Sequence, residues 1–522
     1  MKIKHNISYM KWIAILVCYC LGISVGIAQT FITNAYTYQN LNIWLEGSNP
    51  AGMIYNPYAK FSIAEAVYDF TQGNFRLATT APSIHQYRIY SESYRQWNKI
   101  QLYGQLGYTG IHQKQRQWNA TLEPEAHLIS FGDTIKGNQH NETYHLSGGI
   151  AIPLTSNWNI GGKLNYNAHS NTKDTDPRNS NKQTDLYFSP GILFSREQFK
   201  VGANFIYQRL REVVSYSIVN IRQQEGRTFY PLWFYVNENF QQGANNTRTY
   251  VEERYGSALQ LFLGNRKTEW MNEFRYSQGT ENTEIMESKG IRAGETERRE
   301  FIYTGILRLQ KQLRHSLKPQ YQYLERTSFE CIQAIPEGSS ENYMHTYERV
   351  KRSAIMLHKA ALTYKLERMQ DSLITAWSFY ARYEYRQERT FFIVYPSRFE
   401  EPTTQMTFTL GYNQRLNIHK QVMEIGGHFS YITGYGTLPE NKLTSGQTIF
   451  PEINISQKQD LLLHDFQIKT AEALQIQLNL QYTCPITSKL ALSCTAKGNY
   501  LHCISLSGYK RFNLSFSSGF IF

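Results

Sequence analysis

From about Ala64 to its last residue the chain alternates apolar and polar side chains with a period of two. Residues 508–522 show it most plainly: Phe512, Leu514, Phe516, Phe520 and Phe522 share one set of positions, with Ser518 the polar exception. Arg511, Asn513, Ser515, Ser517 and Gly519 share the other, with Ile521 the apolar exception. A period of two is that of a strand whose faces meet different surroundings. The same split separates Trp158, Ile160, Leu164 and Tyr166 from Asn157, Asn159, Lys163, Asn165 and Asn167. It recurs in Phe199–Tyr207, in Trp377–Glu388, and in Leu474–Thr483, where Leu474, Ile476, Leu478 and Leu480 oppose Gln475, Gln477, Asn479 and Gln481. No part of this body keeps a helical period over a useful length, so strands are predicted throughout.

The connections carry a second regularity. Short joints (Pro153 to Asn157, Ser195 to Gln198, Gly264-Asn265, Gln312 to Arg314, Arg368 to Asp371, Asn417 to Lys420, Pro485 to Ser488) alternate with long polar links. The long ones include Pro124 to Asn141, Ala168 to Lys182, Arg211 to Arg248, Gln278 to Arg299, Arg389 to Thr403 and Thr433 to Asp460. An antiparallel up-and-down transmembrane β-barrel has this parity, with tight turns at one end and long loops at the other. Counting gives about 18 strands of roughly 9 to 16 residues, an even number as such barrels require. Ala64 to Leu77 and Gln113 to Leu122 are the weakest members, so 14 or 16 stay open. Pro190, inside an otherwise regular strand, predicts a bulge.

Composition agrees with a wall between lipid and water. Of 522 residues 41% are hydrophobic, and the 38 Tyr outnumber the 28 Phe. A mean hydropathy of -0.49 argues against spanning helices, which need about 20 consecutive apolar residues. Tyr suits the lipid–water boundary, with an apolar body and a polar tip. The net charge of +12 comes from scattered Lys and Arg. With no basic tail, zinc module or RNA-binding signature, nucleic acid is not an expected partner. The excess charge is expected in the lumen or beside anionic lipopolysaccharide.

Met1–Ala28 reads as a secretory leader: Lys2, Lys4 and Lys11 precede the apolar run Trp12 to Val25, and Gly26-Ile27-Ala28 supplies a small-x-small cleavage site. Residues 29–62 form an N-terminal arm or partial plug, and residues 63–522 the barrel. In the arm, Leu41, Trp44 and Leu45 have helical spacing and Asn49-Pro50-Ala51-Gly52 is expected to stop the helix. Past the leader stand Cys331, Cys484, Cys494 and Cys503, with no C-x-x-C pair and no metal spacing. A disulfide among them stays open. No metal and no cofactor is expected. There is no G-x-S-x-G, H-E-x-x-H or phosphate-binding glycine loop, and adjacent His464 and Asp465 would fall on opposite faces of a strand. The chain is not expected to be an enzyme.

The closing stretch resembles the C-terminal signal strand of bacterial outer-membrane β-barrels, on Phe512, Phe516, Phe520 and Phe522. That resemblance implies recognition by the outer-membrane assembly machinery. Asn49-Pro50-Ala51-Gly52 resembles the Asn-Pro-Ala motif of the long-chain fatty-acid outer-membrane transporter family, where an N-terminal arm plugs the barrel; Trp44 would belong to it here. As a whole the chain is similar to uncharacterised Gram-negative outer-membrane β-barrel families. In such a barrel the positions opposite the lipid face point into the lumen: Lys163, Glu269, Glu273, Arg275, Arg308, Arg382, Glu384, Arg386, Arg415, Glu424, His428, Lys489 and Lys497. They read as a solute-selecting ring or as a salt-bridged filling of the interior. The expected function is a porin-like channel or transporter for a small hydrophobic or anionic solute. The second expectation is a closed barrel acting as a surface anchor or docking platform for a surface or periplasmic protein partner. The expected surroundings are the outer-membrane bilayer and its lipopolysaccharide.

Overall fold

The structure, a computed structural model, describes residues 43–56, 60–123, 126–132, 135–217, 227–230, 235–239, 247–265, 267–286, 291–336, 343–370, 375–394, 397–419, 421–438 and 455–522. The leader, 1–28, and the first part of the arm, 29–42, lie outside the described residues.

Eighteen antiparallel strands form one closed barrel. The first, Lys60–Gly73, pairs with the last, Lys510–Ile521, in a register that sets Ala64 opposite Phe520 and Tyr68 opposite Phe516. Ser62 and Phe522 exchange backbone hydrogen bonds of 2.8 and 2.9 Å, so the terminal residue itself finishes the seam. Closure leaves no unpaired edge, which is what a sheet needs to stand in hydrocarbon. Side chains of one parity face outward and stay exposed: Ile89 (63%), Leu106 (62%), Leu259 (60%) and Leu478 (65%). Exposed leucines in such numbers make a lipid belt, and Phe516, Phe520 and Phe522 stand in it. The chain is an outer-membrane β-barrel. Among the described residues no helix is long and apolar enough to cross a membrane.

The strands are longer than the sequence suggested. Lys510–Ile521 has 12 residues and His345–Met369 has 25, whereas a tilted span needs about 9–11. Much of several "long links" is therefore strand: Trp158–Lys173 and Arg178–Arg196 leave only 174–177 between them. Beyond the bilayer both faces meet water, so the apolar alternation fades while the backbone ladder continues. Gln113 to Leu122 is not a strand of its own; its first four residues end the strand Ile100–Arg116 and the rest is loop. Pro190 makes no bulge, because the register to the next strand is the same on both sides of it. There the Ser189 hydroxyl donates to the Phe205 carbonyl at 2.8 Å, a side-chain bond at the point where proline cannot donate.

Tight turns at 98–99, 154–157, 197–198, 311–313 and 488–489 mark the periplasmic end, which also holds the C-terminus and the arm. At the other end one element was not foreseen, the helix Ile455–Thr470, α1. Among the described residues no disulfide joins Cys331, Cys484, Cys494 and Cys503.

Candidate functional site

Residues 43–56 lie against the inner wall at the periplasmic end. They form two short 3-10 turns, Ile43–Glu46 and Pro50–Tyr55. The tetrapeptide expected to stop a helix starts one instead. Proline fits the first position of a helical turn, where its missing N–H leaves no bond unmade. Asn49 caps that turn by accepting from the Ala51 N–H at 3.0 Å. Its amide nitrogen donates outward into the wall, to the Ile192 carbonyl (3.0 Å), the Ala203 carbonyl (3.3 Å) and Gln260 Oε1 (3.0 Å). Gln260, Asn204 and Glu273 have the parity opposite to exposed Leu259, Phe205 and Phe274, so these contacts are luminal. Ser48 N–H donates to Glu273 Oε2 at 2.8 Å, and Gln260 Nε2 ties Glu273 (3.1 Å) to Asn204 (2.8 Å).

Three glycines make room for this turn. Gly161 and Gly191 pair directly across two strands, and Gly202 stands on the next. A Cβ on Gly161 would lie 2.4 Å from the Ala51 nitrogen, and one on Gly191 2.2 Å from Asn49 Oδ1. On Gly202 it would lie 2.6 Å from Asn49 Nδ2. Around the cradle Ile43, Trp44 and Ala51 pack with Leu193, Phe262, Met271 and Ile306 in one buried cluster, with Tyr55 against it. The Lys200 ammonium sits over the rings of Tyr55 and Phe262 at 4.5 and 4.3 Å. Glu46 binds Arg308 at 2.5 Å and Lys318 at 2.9 Å. Docking therefore joins apolar burial, a buried amide network and a two-cation clamp.

At the other mouth chain folds inward. The Ala120 carbonyl accepts from the side-chain amides of Asn171 (3.4 Å), Asn179 (3.3 Å) and Asn181 (2.6 Å). Leu122 N–H donates to Glu212 Oε1 at 3.1 Å. His127 stacks on Tyr250 (3.9 Å between ring centres) and lies 2.9 Å from Glu281 and 3.7 Å from Glu212. Tyr250 Oη donates to the Ile129 carbonyl at 2.9 Å. Burial pushes the His127 imidazolium down, but the carboxylates of Glu281 and Glu212 outweigh it and hold it up at about 10. Its ring lies between the carboxyl groups of Glu281 and Glu212, and burial raises the pKa of Glu281 in turn. Beside it, α1 rests on the inner rim: Lys469 reaches Glu388 (3.3 Å) and Glu401 (3.1 Å), and a Cβ on Gly434 would meet the Thr470 backbone at 2.9 Å. His464 and Asp465 are not strand neighbours on opposite faces. Both are on α1 and hold the turn 74–82, His464 donating to the Arg76 carbonyl (2.9 Å) and Asp465 accepting from Ala78 N–H (2.7 Å).

Elsewhere the inner wall carries charged side chains. Arg382 and Lys359 share Glu384 (2.6 and 3.4 Å), Arg386 holds Glu388 (2.6 Å), and Arg415 meets Glu424 (3.3 Å). Arg308 also approaches Glu269 (3.8 Å), and His428 bonds to Tyr380 (3.1 Å). Lys163 lies over the Tyr103 ring at 5.5 Å. Arg275 and Lys497 occupy inward positions and make no ion pair among the described residues. Lys489 is not luminal: it lies exposed in the tight turn 488–489. The sequence reading missed the glycine cradle and the His127 clasp. Inward glycines at one height on neighbouring strands were the available signal for the first; the second had none, since its parts are 154 positions apart.

The structure is similar to the outer membrane transporter YddB of Escherichia coli, at 8% identity and a TM-score of 0.42, over 88% of this chain and 80% of that one. It is similar to BauA, the ferric preacinetobactin receptor of Acinetobacter baumannii, at 7% and 0.40, over 88% and 80%. It is also similar to the toluene transporter TodX of Pseudomonas putida, at 9% and 0.30, over 95% and 94%. Likeness at this level carries neither solute nor mechanism across. No protein of curated function matches the sequence. The model of the family of unknown function DUF6850 matches residues 50–522, and the chain belongs to that family.

Proposed function

We propose that this DUF6850 barrel is a gated outer-membrane transporter for a small hydrated anionic solute, with residues 43–56 as its periplasmic plug. The observation that carries the reading is the fit of Asn49-Pro50-Ala51 into the cradle of Gly161, Gly191 and Gly202, a wall shaped around a segment that is not part of it. Polar clamps such as Glu46–Arg308 and Glu46–Lys318 can exchange partners on release, which suits a segment that docks and leaves. A lumen of paired charges and amides favours hydrated solutes over apolar ones. Lys163, Arg275 and Lys497, without ion pairs among the described residues, supply the anionic preference.

Flux through the purified protein in liposomes tests this, with anionic, neutral and cationic solutes of one size. The anion should pass fastest, and replacing Arg275 and Lys497 by Gln should remove its advantage. Equal flux of all three sinks the anionic preference. No flux of any, with a partner protein recovered by pull-down from cells, favours the docking-platform reading instead. Much of the long link 211–248 that prompted that reading lies outside the described residues.

A further inference from the structure

On the outer face, just above the lipid belt, the seam carries a second polar site that the transport reading does not use. Tyr68, Tyr87, Tyr108 and Tyr144 stand exposed or half-exposed across four strands, marking the lipid–water boundary. One step further out the ladder sets three histidines in a row, His85 opposite His112 and His112 opposite His140. The rings of His112 and His140 lie 4.5 Å apart, with their Nδ1 atoms at 3.2 Å. His85 receives the Tyr68 hydroxyl at 2.8 Å and packs on Phe70 at 4.8 Å.

Beside this row a cavity of about 550 Å³ opens, lined by Phe70, Arg76, His85, Lys114, Gln115 and Asn138 among others. Lys114 makes no ion pair among the described residues and is exposed. Arg76 donates to the Leu77 and Thr80 carbonyls through Nη1, while its buried Nε bonds to nothing among the described residues. The carboxylates near the cavity are already engaged: Asp465, on α1, accepts from Ala78 N–H at 2.7 Å and offsets part of the Arg76 charge. Glu142 accepts from Tyr108 (3.3 Å), and Asp174 accepts from Asn138 (two bonds of 3.0 Å) and Thr175 (2.9 Å).

We infer that this cavity binds the phosphorylated headgroup of an outer-leaflet glycolipid. The phosphate lies against Lys114, Arg76 and His85, and the acyl chains run down the apolar belt below Phe70. Charge complementarity and position select this occupant: the site is cationic, faces outward, and begins where the hydrocarbon ends. Basic groups at such a boundary each add measurable attraction for anionic lipid, and the effect is lost on charge reversal. Lys114 and His85 stand on strands facing outward, away from residues 43–56, so their replacement tests this site apart from the transport reading; Arg76 lies on the turn 74–82 that α1 holds.

The experiment compares the intact protein with Lys114→Glu/His85→Gln in detergent, titrated with bisphosphorylated lipid A, with the same lipid stripped of its phosphates, and with inorganic phosphate. Bound lipid is read by native mass spectrometry. Wild type should prefer the phosphorylated lipid, and the variant should bind it about 10- to 30-fold more weakly. Lys114→Arg should restore binding, and heat-shifted migration on gels should verify that every variant is folded. Equal binding of phosphorylated lipid by wild type and variant would overturn the site. Equal binding of the stripped lipid by wild type would also overturn it, and phosphate alone binding as tightly as the lipid would overturn the glycolipid assignment.

Discussion

The cradle yields a variant that should eject the plug without harming the wall. Gly161 lies in the strand Trp158–Lys173 with no positive φ, so alanine suits its backbone and by itself strengthens a strand. Its Cβ would stand 2.4 Å from the Ala51 nitrogen, 2.6 Å from the Pro50 carbonyl carbon and 2.8 Å from Ala51 Cα. All three are backbone atoms, so no rotamer change relieves the overlap and the arm itself must shift. Overpacking of this kind costs about 1–3 kcal/mol, all of it falling on docking. Amide hydrogen exchange across 43–56 should accelerate by about 5- to 150-fold, while the barrel strands keep their protection. Gly162→Ala is the internal control, since a Cβ there meets nothing within 4 Å. If Gly161→Ala and Gly162→Ala exchange alike over 43–56, the cradle does not hold the arm and the reasoning fails.

Removing the cap should act on the same equilibrium. Asn49→Ala deletes the bond to Ala51 and the donors to Gln260, Ile192 and Ala203, weakening docking by about 2–4 kcal/mol; unaltered exchange over 43–56 would contradict this. The His127 clasp should depend on pH. Its folded-state value of about 10 stands above the ordinary value of 6.5, so its contribution is complete below about pH 6.5. That contribution falls as pH rises through about 10. A spin label at Ala126 should accordingly gain mobility between pH 8 and 10 in the wild type. In His127→Ala the label should already be mobile and show no such step; a step that persists there assigns the titration to another group.

The fold was legible because two solvents write it. Where a strand has lipid on one side, as in Leu474, Ile476, Leu478 and Leu480, the alternation is nearly complete, and the parity of turns adds topology. The same physics explains the misplaced strand ends, because with polar surroundings on both faces, as around Gln183 to Asp185, no side chain reports the ladder. The helix α1 escaped notice because Leu461, Leu462 and Leu463 are consecutive rather than spaced along a stripe. Its placement rests on Lys469 meeting Glu388 and Glu401 from distant strands. The charged wall was visible as a set of positions but not as pairs, which depend on register. Lys489 fell to the turn because the strand ends two residues before it, at Thr487. The cradle could not be weighed, since an inward glycine means nothing until the segment opposite it is placed.

The central claim is that inserted chain, not the barrel wall, keeps the lumen shut. Single-channel recording in planar bilayers tests it directly, comparing the wild type with a protein lacking residues 43–56 and carrying His127→Ala. The wild type should be electrically silent and the altered barrel should conduct in steady steps. An altered barrel that runs as folded on a heat-shift gel yet stays as silent as the wild type would contradict the account.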